Sequence, residues 1–123
     1  MIDKAQVWVD RYIGSDPSQV YEGYRTDARG FICMAWSSVR PGISPEQMGS
    51  IARNISKDEL KFGDVLNCDS GNVALFAGWA DGIRSQYIGL ELPPSSRAIK
   101  RNIPYPYFGG SFCYHPMRYN DAC

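Results

Sequence analysis

The segment from Gly30 to Trp36, Gly-Phe-Ile-Cys-Met-Ala-Trp, constrains the fold more than any other part of the chain. It is apolar on every side, so a helix formed from it has to be surrounded by other elements rather than laid on a surface. The pattern predicts a buried central helix that breaks before Pro41-Gly42. The chain can build one core around it, because 123 residues is the size of a single domain. With 44% hydrophobic and 21% charged residues, it is too apolar for a disordered segment and large enough to fold without a metal or a dense disulfide framework. Residues 1–123 therefore read as one domain.

Ahead of the central helix, Ala5, Val7, Trp8, Val9, Tyr12 and Ile13 fall near helical spacing, and Gly14 stops that segment. Ser15 to Asp27 reads as a loop, with Ser15, Asp16 and Pro17 as turn residues. Ser44-Pro45-Glu46-Gln47 starts a second short helix, with serine as cap and proline at the first helical position. Ser56-Lys57-Asp58-Glu59 resembles a capping box before Leu60. From Val65 the character changes to strands: Val65–Asn67, Asn72–Trp79, Gln86–Leu92, Ala98–Ile103 and Gly110–Tyr114. Ala80-Asp81-Gly82 is a hairpin turn between the second and third of these. The predicted class is α+β, N-terminal helices packed on an antiparallel β-sheet.

Thirteen basic residues balance thirteen acidic ones, which argues against an electrostatically driven nucleic-acid binder. No run approaches the roughly 20 apolar residues of a membrane span. Residues 1–14 carry Asp3, Lys4, Asp10 and Arg11 and lack a basic region followed by an apolar one, so no signal peptide is expected within this chain. Cys33, Cys68, Cys113 and Cys123 are compatible with two bridges in an oxidising compartment or with free thiols, and sequence alone does not choose the pairing. Without a CxxC spacing and with one histidine, no structural zinc site is expected, and no motif calls for a cofactor.

Three runs, taken in order, resemble one family. Gly23-Tyr24-Arg25-Thr26-Asp27-Ala28-Arg29-Gly30-Phe31 is similar to the Asp-Cys-Ser-Gly-Phe signature of the NlpC-type, papain-like cell-wall peptidases and amidases. Leu60 to Leu66 resembles their Leu-x-x-Gly-Asp strand opening, and Gly71 to Trp79 their Gly-x-His-Val-x-Leu-Phe-x-Gly strand. Tyr87 to Glu91 and Ile103 to Tyr107 also resemble actinobacterial and fungal members, so the similarity runs from about residue 5 to 119.

The resemblance implies a papain-like fold and a secreted protein acting on peptidoglycan stem peptides. It also implies a site in which a cysteine at a helix N-terminus pairs with an imidazole oriented by a third polar group. Carried onto this chain, the nucleophile position is Ala28, the base position Asn72, and the third position falls near Glu91. A methyl group cannot attack a carbonyl, and a carboxamide does not titrate near neutrality. Arg29 stands where the family has a small hydroxyl. The implied protein is a pseudoenzyme whose vestigial cleft binds a stem peptide, a glycan or a protein partner. An active or deliberately inactivated peptidoglycan hydrolase, and an effector role independent of the cleft, are the alternatives.

Ligand-binding candidates are Tyr24, Asp27, Arg29 and Trp79. Asp27 matches the family pattern, where an aspartate holds the amine of the stem peptide; its other role is to cap the helix after it. Cys33 lies more than a turn past Ala28 in an apolar helix, where burial makes a thiol unreactive. Cys68 falls in a turn, and Cys113 and Cys123 flank the C-terminal segment. His115 lies outside the base's strand, and Ser70 and Ser111 lack a Gly-x-Ser-x-Gly setting. Tyr105, Tyr107, Phe108, Tyr114 and Tyr119 form either a stacking platform for sugars or a segment packed over the sheet.

Overall fold

The structure, a computed structural model, describes residues 1–68, 72–105, 107 and 113–121. The predicted central helix is α2, Ala28–Trp36, and every residue from Arg29 to Trp36 is buried. Asp27 starts it: extended at φ −137°, it accepts the Gly30 N–H on its side chain at 2.8 Å. Ser37, left-handed at φ 56°, ends it. Helix α1, Ile2–Asp10, packs on α2 through Ala5 and Trp8, and the Trp8 ring lies 5.9 Å from that of Phe31. It stops earlier than Gly14. Tyr12 is left-handed at φ 54°, and Gly14 instead bridges to Arg97 beside the sheet.

The expected loop from Ser15 to Asp27 is a hairpin: β1 (Asp16–Tyr21) pairs antiparallel with β2 (Tyr24–Thr26). Glu22 and Gly23 form its two-residue turn with φ of 56° and 86°, the doubly left-handed geometry that suits strand twist. Glu-Gly lacks the Asn-Gly or Asp-Gly signature, and the turn residues at the start of β1 favoured a loop reading. After a 3-10 turn at Pro45–Gln47 come α3 (Met48–Ile51) and β3 (Ala52–Asn54), a short strand absent from the sequence reading. The box at Ser56–Glu59 closes a single 3-10 turn, with the Ser56 N–H on Glu59 Oε1 at 2.9 Å.

The remaining strands are β4 (Val65–Cys68), β5 (Val73–Trp79), β6 (Gln86–Glu91), β7 (Ile99–Pro104) and β8 (Tyr114–Tyr119). They assemble with β3 into one six-stranded sheet of order β3-β8-β4-β5-β6-β7, antiparallel at each junction. The class is thus α+β with an antiparallel sheet. Two details differ from the sequence reading. The β5–β6 connection is longer than a two-residue turn, with the Asp81 carboxylate gathering the N–H groups of Ser85 and Gln86. The last strand lies beyond Gly110–Tyr114, of which 110–112 fall outside the described residues. Pro116 disguises it: β8 tolerates the missing N–H one residue past its pairing with β3, where the Pro116 carbonyl takes the Ile55 N–H at 3.1 Å.

Alternation along β4 to β8 divides the core. Val65, Val73, Leu75, Leu90 and Met117 face α1 and α2, while Leu66, Ala74, Phe76, Tyr87 and Ile103 face the other side. Trp36 ties the helical layer down: its Nε1–H donates to the Gly63 carbonyl at 2.7 Å and its ring stacks on Tyr119 at 4.8 Å.

Candidate functional site

The N-terminus of α2, the C-terminal ends of β4 and β6 and the N-terminal ends of β5 and β8 converge at one end of the sheet. Arg29 stitches them together. Though buried, its guanidinium donates Nη2 to Asn67 Oδ1 at 2.9 Å and to the Cys68 carbonyl at 2.8 Å. The Cys68 N–H in turn donates to the Asn72 carbonyl at 3.0 Å. Arg29 is therefore a buried clamp between the N-terminus of α2 and the C-terminal end of β4.

On the second face of the sheet lies a polar cluster. Asn72 Nδ2 donates to Glu91 Oε1 at 2.8 Å and approaches the Tyr107 hydroxyl at 3.3 Å. Glu91 has no exposure at all, yet its Oε2 takes Arg101 Nη2 at 3.3 Å, and the Tyr107 hydroxyl donates to Oε1. The Tyr107 ring stacks on Tyr114 at 4.2 Å, and Tyr114 follows Cys113, which is disulfide-bonded to Cys68. A buried carboxylate survives here because each oxygen has a charged or hydroxyl partner. Two buried atoms beside it, Asn72 Oδ1 and the Tyr87 hydroxyl, have no hydrogen-bond partner among the described residues.

Of the three positions that the resemblance singles out, Asn72 and Glu91 are thus in direct contact. Ala28 belongs to the other layer, half-buried against the α2 core. It lines a groove of about 380 Å³ with Arg25, Asp27, Arg29, Ile43, Ser44, Pro45 and Pro94 among its walls. Neither Asn72 nor Glu91 lines that groove. Asp27 works inside it as a helix cap and as the partner of Arg25 Nε at 2.8 Å, while Arg25 Nη2 reaches the Ile43 carbonyl at 2.6 Å.

Two expected ligand-binding residues sit elsewhere. Tyr24 points away from Arg25, as neighbours on a strand do, and is buried with its hydroxyl on the Ser38 carbonyl at 2.8 Å. It lines a separate pocket of about 420 Å³ with Lys4, Val7, Glu22, Met34 and Arg40. Trp79 ends β5, roughly 20 Å along the strand from Asn72, packed on Phe76 and Tyr105 beneath Lys57.

Cys33 is buried, and that burial pushes its thiol above the usual range. His115 lies on β8 opposite Asn67, with Nδ1 at 3.3 Å from the Cys113 carbonyl; the cysteine nearest it in sequence is already bridged. Ser70, Ser111, Phe108 and Cys123 fall outside the described residues. Among the described residues no group of three or more histidine, cysteine or acidic side chains forms a metal-binding cluster. Arg101 and Tyr87 escaped the sequence reading: strand alternation puts Tyr87 on the same face of β6 as Glu91, and the register of β7 against β6 brings Arg101 to that face.

The cluster makes a pH prediction. Burial first, then the Tyr107 and Glu91 charges, pushes the Tyr114 phenol up to about 12, and burial and Glu91 raise Tyr87 further. In the unfolded chain both ionise near 10. A folded value above the unfolded one gives stability fully present below pH 10 and lost as pH climbs towards 12 and beyond. Absorbance at 295 nm and far-UV circular dichroism should therefore show unfolding in step with tyrosine ionisation above pH 10. Tyr87→Phe, which deletes a buried hydroxyl without a partner among the described residues, should move that transition to higher pH. Free titration of every tyrosine near 10 with the fold intact would refute this account.

Compared with protein-family models, with curated proteins and with solved structures, the chain matches none.

Proposed function

We propose that this chain is a non-catalytic relative of the NlpC-type cell-wall hydrolases, an exported binding protein that uses the groove at the α2 N-terminus. One observation carries the reading. At the position where the resemblance expects an imidazole, a carboxamide is spent as a hydrogen-bond donor to a fully buried carboxylate. Asn72 offers no lone pair that titrates near neutrality, and Ala28 offers nothing to activate. The Cys68–Cys113 bridge fits an oxidising compartment. The groove combines apolar walls at Ile43, Pro45 and Pro94 with the Arg25–Asp27 pair and the Ser15 and Ser44 side chains, a lining suited to a short peptide.

Titration calorimetry with peptidoglycan stem peptides, and with chitin oligomers as the glycan alternative, tests this directly. Saturable binding of stem peptides is expected without release of cleavage products. Ala28→Phe, which fills the groove, should weaken binding at least tenfold. Turnover of any stem peptide would overturn the non-catalytic reading, and absence of binding to both ligand classes would overturn the groove's role.

A further inference from the structure

Strand β7 is an edge of the sheet, paired with β6 along its whole length from Ile99 to Pro104. The Tyr105 N–H donates to the Ser85 carbonyl at 2.8 Å, which fixes the phase of the ladder. Odd-numbered residues of β7 direct their backbone groups to β6, and even-numbered ones direct theirs outward. The beginning of that outward edge is already taken. The Ser15 N–H donates to the Ser96 carbonyl and the Ala98 N–H to the Ile13 carbonyl, each at 2.8 Å, around the Gly14–Arg97 bridge. Residues 13–15 thus act as the start of an added strand that the chain does not continue. Beyond them Lys100 and Asn102 are exposed, and their outward N–H and C=O groups have no backbone partner among the described residues. Pro104, lacking an N–H, closes the edge.

We propose that this half-open edge binds an extended acidic peptide by strand addition, in line with Ile13–Ser15. Arg97 and Lys100 supply the charge of this edge, while Arg101 between them and Pro104 turns to the second face and is spent on Glu91. The guanidinium of Arg97 is held over the Tyr12 ring at 4.6 Å, and Lys100 has no ion pair among the described residues. A second copy of the chain laid antiparallel on β7 would set like charges across from one another, which disfavours self-pairing. Aspartate or glutamate at alternate positions of a partner strand reverses the sign of that contribution, so the charges that keep the edge from aggregating also choose its partner.

Amide hydrogen exchange of the whole labelled protein tests the proposal with three probes: acetyl-Thr-Glu-Val-Glu-Thr-amide, its lysine counterpart, and the acidic peptide with N-methylated valine. The acidic peptide alone should slow exchange at Lys100 and Asn102 tenfold or more. Lys100→Glu, on the surface and compatible with folding, should abolish that effect and transfer it to the lysine peptide. Equal protection by the N-methylated peptide would mean charge attraction without strand addition. Protection by no peptide, or a concentration-dependent dimer through β7 in sedimentation, would overturn the assignment as well.

Discussion

Gly30→Ala is expected to destabilise the protein by on the order of 3 kcal/mol, a large effect for a single methyl group. A Cβ built on Gly30 lies 2.0 Å from the Arg25 carbonyl oxygen, 2.8 Å from its carbon and 2.9 Å from Asp27 Oδ1. The first two are backbone atoms, and they cannot swing aside. Strand β2 is held from behind as well, since the Arg25 N–H donates to the Pro41 carbonyl at 2.8 Å. Gly42 leaves no slack, because its own added Cβ would meet Gly30 Cα at 3.0 Å. Against this stands the helix propensity of alanine over glycine, worth about 1 kcal/mol in favour of the substitution. The clash is the larger quantity. Gly49→Ala, in α3 with nothing within 4 Å of the added methyl, supplies the control and should be neutral or slightly stabilising. Urea unfolding of both variants checks the contrast, and equal stability of the two would show that β2 yields easily. The Gly30 variant should also weaken the stem-peptide binding proposed for the groove, since Arg25 and Asp27 line it.

That close approach could not be read from the sequence, although the helix containing it could. Gly30 to Trp36 announces itself because an all-round apolar run has a single physical outcome, and the actual start at Ala28 follows from the Asp27 cap. Strands β4 to β7 are legible for a similar local reason, their apolar runs being bounded by turn residues. The hairpin β1–β2 and strand β8 were hidden by residues that ordinarily break structure: Pro17, a left-handed Glu22 and Pro116. Side-chain partnerships were harder still. Asn72 and Glu91 stand 19 residues apart, and nothing in the local sequence of either shows the contact between them. Closeness in sequence suggests Tyr24 for the cleft, and residue type suggests Trp79. Strand alternation turns Tyr24 away from Arg25, and strand length carries Trp79 to the far end of β5. Arg29 was legible as an anomaly but not as a clamp, because its acceptors Asn67 and the Cys68 carbonyl lie nearly 40 residues on.

Loss of the Cys68–Cys113 bridge is expected to lower stability by about 4 kcal/mol. The estimate follows from the 45-residue separation of the two cysteines, since releasing a loop of that length returns conformational entropy to the unfolded chain. The exposed Cys113 gives a dithiol reductant access, whereas Cys68 is buried. If the effect resides in the unfolded state, Cys68→Ala with Cys113→Ala should match the reduced protein in midpoint, and both should give a steeper urea dependence than the oxidised protein. The native state adds a second readout. Cys68 is the residue whose carbonyl receives Arg29, and Cys113 immediately precedes Tyr114, whose ring supports Tyr107 against Glu91. Reduction should therefore loosen the polar cluster before global unfolding, seen as faster hydrogen exchange at Asn72 and Tyr114 while the amides of α2 keep their protection. Equal stability of the oxidised and reduced proteins would mean that the pairing of β4 with β8 already holds these ends together. Accelerated exchange throughout α2 on reduction would mean that the bridge supports the whole fold rather than the end of the sheet where the cluster lies.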